Sequence, residues 1–178
     1  ISFCKMECRT PENKFIHNFP NIDQNKQISY EEILKYNCAS TQTIFGKSEC
    51  FKNVMFNTKM PRLQDWYEVL RLSQKYRIFY QNEILVNTFF QKDSISTHPE
   101  KAVLAMQKIF EKHKDAILSA IVESFFKKKA SFVCKTGKNP KEEMKMILKY
   151  NPSAGTFIKY MLAVFNLYTL FFKIKNSL

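Results

Sequence analysis

Only three glycines and six prolines punctuate the 178 residues. So few breaks favour helices over a turn-rich β fold, and they leave no glycine-rich phosphate loop. Gly-x-Ser-x-Gly and His-Glu-x-x-His are missing as well. The three histidines, His17, His98 and His113, share no metal-ligand spacing with one another or with cysteine. Paired acids occur only as Glu31-Glu32 and Glu142-Glu143, and adjacent residues on a helix point to different sides. With no catalytic constellation in view, the chain is expected to be a non-enzymatic interaction or structural protein.

Arginine is nearly as scarce, limited to Arg9, Arg62, Arg71 and Arg77. Lysine carries the charge: residues 101–178 hold 15 Lys against 5 acidic residues, +10 of the total +12. A basic half implies an acidic partner, such as a protein surface within a larger assembly, nucleic acid or an anionic membrane. Base-edge readout leans on the forked guanidinium, so lysine-borne charge points to diffuse electrostatic docking. Lys127, Lys128, Lys129, Lys135, Lys138 and Lys141 are the candidate docking residues.

What is present is apolar material: 45% hydrophobic residues and 17 Phe, enough for a sizeable core. The expected fold is all-α, five to six helices packed around one core. An irregular cysteine-containing segment, residues 1–60, would precede a basic helical domain, residues 61–178. Helices are expected over 29–37, over 62–78 with Leu63, Trp66 and Leu70 on one face, and over 80–92 with Ile84, Leu85, Thr88 and Phe89. A long amphipathic helix is expected over 99–129, capped by Ser96 or Thr97 with Pro99 in its first turn. Helices over 140–150 and 156–173 complete the set. The last is apolar almost all round and reads first as a central buried helix, with a docking helix or a membrane segment as alternatives.

Four of the five cysteines, Cys4, Cys8, Cys38 and Cys50, fall in the first fifty residues, leaving Cys134 apart. They are disulfide candidates with three possible connectivities, and free thiols are an equally open reading. The stapled version would suit a secreted or surface binding domain, a ligand carrier or receptor-binding factor. The chain begins at Ile1 rather than Met, which suggests processing or truncation, and it holds no Asn-x-Ser/Thr sequon.

One stretch suggests specific chemistry. From Asn21 onward, oxygen-bearing side chains fall at loop positions 1 (Asn21), 3 (Asp23), 5 (Asn25), 9 (Ser29) and 12 (Glu32). This stretch resembles the helix–loop–helix of the EF-hand family, over residues 13–37 only. The resemblance implies a Ca²⁺ ion held by Asn21, Asp23, Asn25, the Gln27 carbonyl, Ser29 and Glu32, hence a calcium-responsive sensor. The sequence departs from the family at Asn21, where Asp is usual, at Lys26, where Gly is usual, and at Pro20. No second loop accompanies it: Asp93–Glu100 and Thr136–Glu143 lack a ligand set. The same residues also read as a polar turn and a helix capped by Ser29 with Glu32 at N3, a capping box that needs no metal.

Overall fold

The computed structural model describes residues 1–91 and 97–175. It contains two compact units, Ile1–Thr97 and His98–Leu178, so the boundary expected at 60/61 falls inside the first. The all-α expectation is overturned. The chain is 53% helical and 18% strand, with a five-stranded, curled mixed sheet forming a half-barrel.

In the first unit the cysteine-containing start is a strand, β1 (Ser2–Arg9), not an irregular segment. Strands β2 (Phe15–Phe19), β3 (Lys26–Ile28), β4 (Ile44–Phe45) and β5 (Ile78–Phe89) join it. The order is β2-β1-β5-β3, with β4 paired to the start of β1. β1 and β5 run parallel from Ser2↔Phe79 to Arg9↔Phe89, while β2, β3 and β4 pair antiparallel. A helix had been expected over 80–92. Ile84, Leu85, Thr88 and Phe89 mimic helical spacing, yet β-branched and aromatic residues suit a pleated strand, and pairing with β1 as far as Phe89 decides the outcome.

Three helices complete this unit: α1 (Tyr30–Lys35), α2 (Ser48–Asn53) and α3 (Gln64–Ser73). The helix expected over 62–78 is shorter because Leu63 takes a left-handed φ of 59° before it, and β5 begins at Ile78. α3 buries Trp66 and Leu70 of the expected face, whereas Leu63 is half-buried ahead of its start, and Val69 and Leu72 are buried as well. Trp66 Nε1 donates to the Ile33 carbonyl of α1 at 2.5 Å, so the indole fills the core without orphaning its N–H. Tyr80 of β5 stacks near Phe3 of β1, ring centroids 5.2 Å apart, and donates its hydroxyl to the Ile22 carbonyl.

The second unit is helical among its described residues. The long helix expected over 99–129 is broken: α4 (Pro99–Lys112) ends at His113, and a short α5 (Lys114–Ala116) runs into a π-helical turn, Ile117–Ile121. Helix α6 (Val122–Lys135) follows, and Phe110, Phe125 and Phe126 pack edge-to-face or tilted within 6.2 Å of one another. Gly137, at φ 80°, turns the chain into α7 (Lys141–Tyr150), close to the expected 140–150.

The last expected helix is two helices, α8 (Ala154–Val164) and α9 (Tyr168–Lys175). Asn166 adopts a left-handed φ of 60° between them, a conformation Asn tolerates better than most residues. It is not a buried central helix either, since Thr156 and Ala163 are the buried residues of α8. The two helices bend by 112°, and no single described helix is long and apolar enough to cross a membrane.

Candidate functional site

The α8–α9 corner gathers what the rest of the second unit hides. Phe157, Ile158 and Phe165 are exposed on the side of α8 opposite its buried Thr156 and Ala163. Leu167 at the bend and Leu170, Phe171 and Ile174 on α9 are exposed as well, and Phe165 is the most exposed of them at 65%. The bend is held from below by the basic loop that precedes α7. Asn139 Nδ2 donates to the Ala163 carbonyl and to the Asn166 side chain, and Thr169 Oγ1 donates to the Lys138 carbonyl at 3.4 Å. Those bonds tie the Lys138–Asn139 backbone to the bend; Lys135 and Lys138 are exposed, as is Lys173 on α9, while Lys159 on α8 is half-buried and its charge acts on Glu123. No acidic residue follows Glu143 in the chain.

The six candidate docking lysines separate by environment. Lys127 pairs with Glu123, whose carboxyl that pairing holds below the usual range. Lys129 is largely buried, bonded to Gln107 Oε1 at 2.8 Å, paired with Glu143 at 3.2 Å and lying over the Phe126 ring. Lys128 is half-buried, whereas Lys135, Lys138 and Lys141 are exposed. Lys135 lies over the Phe132 ring, 5.9 Å from its centroid. The first cluster is therefore largely engaged inside the unit, and the second faces solvent. The apolar composition of 156–173 signalled the corner; its exposure carried no sequence signal.

The 21–32 stretch lies in the first unit, entered from strand β2 and left through helix α1. Asn25 Oδ1 accepts from the Asn82 backbone N–H at 2.6 Å, and the Asp23 carbonyl accepts from Asn82 Nδ2 at 2.8 Å. Gln27 lies in β3 opposite Phe79 of β5, and Asn21 is exposed. The Asp23 carboxylate sits 3.9 Å from Lys5 Nζ and is otherwise open to solvent. Ser29 and Glu32 form the reciprocal capping box of α1. Lys26 also pairs with Glu32, and that bond together with the Ser29 backbone N–H holds the Glu32 carboxyl below its usual value. Several of these oxygens thus already serve the fold. Among the described residues no group of three or more His, Cys, Asp or Glu is placed to hold a metal ion.

All five cysteines are free thiols and all are buried. Cys4 and Cys8 sit four residues apart on one extended strand, about 13 Å, beyond the reach of a disulfide. Burial raises the Cys4, Cys8 and Cys134 thiols, which keeps them protonated and poorly nucleophilic. The Tyr80 hydroxyl is likewise pushed up, to about 12, by burial and then by the charge of Asp23.

Compared with protein-family models, with curated proteins and with solved structures, the chain matches none.

Proposed function

We propose that this is an interaction protein whose helical second unit docks onto an anionic lipid surface. The α8–α9 corner would lie in the interface, with Lys135, Lys138 and Lys173 reaching the headgroups. The observation that carries the reading is that exposed large apolar side chains and exposed lysines occur together in a stretch of sequence with no acidic residue after Glu143. An apolar helix face rimmed by lysine is the composition that settles between headgroups and acyl chains. Each lysine near such a surface contributes about 1 kcal/mol. A second copy of this chain is a poor occupant of the same face, because pairing would oppose two lysine arrays.

Sedimentation with phosphatidylserine-containing and pure phosphatidylcholine vesicles tests this. The protein should pellet with the anionic vesicles, lose that binding as salt rises, and leave the neutral ones largely unbound. Replacing Phe165, Leu167 and Leu170 by Ser, all exposed positions, should weaken anionic binding by about tenfold or more. Binding to neither vesicle would overturn the proposal. Capture by polyglutamate without vesicle binding would assign the face to an acidic protein instead.

A further inference from the structure

The first unit holds a cavity of about 600 Å³ where the C-terminal ends of the parallel strands β1 and β5 meet β2, the segment after α1 and the first turn of α3. Its size is that of a small-molecule site. Three rings, Phe19, Phe89 and Phe90, line it, with His17 set 6.4 Å from Phe90, centroid to centroid. Asn87 and Thr88 add polar groups from β5. The charged group on its wall is Asp65, in the first turn of α3. In a chain of net charge +12, no Lys or Arg is among the described residues lining this cavity.

We infer that this cavity binds a small organic ammonium with an aromatic or apolar body, its charge set against the Asp65 carboxylate and its body against the phenylalanine rings. The chemistry follows from what surrounds the ligand. Phenylalanine faces attract cations as well as apolar groups. A carboxylate with no lining cation excludes phosphates and carboxylic acids by like-charge repulsion. Asp65 is held in place, with Oδ1 accepting from the Trp66 backbone N–H at 2.8 Å and its side chain bonded to Asn37. Burial nevertheless raises its carboxyl above the ordinary range, the opposing influences of those bonds and of the Arg62 charge being smaller. A bound ammonium would supply the compensation that desolvation has removed.

Calorimetric titration with phenethylamine, phenylacetate and adenine tests the inference. Phenethylamine should bind saturably, phenylacetate should not, and Asp65→Asn should weaken the amine by about tenfold or more. Phe90→Ala, on an exposed ring, should weaken it about threefold or more and keeps the test open if Asp65→Asn fails to fold. Equal binding of phenylacetate, binding of adenine alone, no binding of the amine, or an unchanged affinity in Phe90→Ala would each overturn it.

Discussion

Both units expose large apolar side chains, but in different patterns: in the first they are spread over strands and loops from Phe15 to Phe90, and in the second most of them lie on or between α8 and α9. The first wraps Trp66, Ile33, Leu70, Ile78 and Tyr80 into a core tied by long-range bonds from side chain to backbone carbonyl, Trp66 to Ile33 and Tyr80 to Ile22. The second packs α4, α6 and α7 around a phenylalanine cluster, then leaves α8 and α9 with their large side chains in solvent. Charge divides along the same line. The second unit carries 15 Lys, no Arg and 6 acidic residues, while all four arginines lie in the first. Exposed apolar surface is ordinary when scattered, and its concentration on α8 and α9 is what the proposed lipid contact rests on.

The largest expected effect separates core from corner. Trp66→Ala should cost about 3–5 kcal/mol, because it empties a core site and orphans the Ile33 carbonyl. Phe165→Ala, on a ring as large but 65% exposed, should shift stability by less than about 0.5 kcal/mol. Urea unfolding of both variants checks the contrast, and equal costs would break it.

A smaller effect sharpens the comparison through pH. Burial lowers the His113 pKa at the junction of α4 and α5, so the folded second unit favours the neutral ring. Above about pH 6.5 the ring is neutral in both states and contributes no pH dependence. As pH falls below that value the unfolded chain takes up the proton first, and stability declines by at most about 1.4 kcal/mol per pH unit. His113→Gln should flatten this slope in melts between about pH 6.5 and 5. In the first unit the depressed Glu32 carboxyl acts lower: its contribution is complete above the unfolded value of about 4.3 and is lost as pH falls through the folded one. A slope between about pH 6.5 and 5 that is unchanged in His113→Gln would refute the assignment to the second unit.

Local signals were the legible ones. The capping box of Ser29 and Glu32 and the helix between Gly137 and Asn151 depend on neighbours within a few residues, and both were readable. The sheet was not, because β1 and β5 pair across nearly eighty residues and neither alternates cleanly between apolar and polar. Ile84 and Leu85 are both exposed on β5, so the hydrophobic spacing there reports no core face. The bend at Asn166 was hidden by its residue type, since Gly is the usual left-handed signal. The cavity beside Asp65 draws on residues from Met6 to Gln91 that only the folded first unit brings together.

Amide hydrogen exchange, with and without phosphatidylserine vesicles, tests the contact-surface account most directly. Added protection should be confined to α8, α9 and the loop from Lys135 to Lys141, with β1 and β5 of the first unit unchanged. Vesicle-induced protection along β5 in place of α8 and α9, or none anywhere, would contradict it.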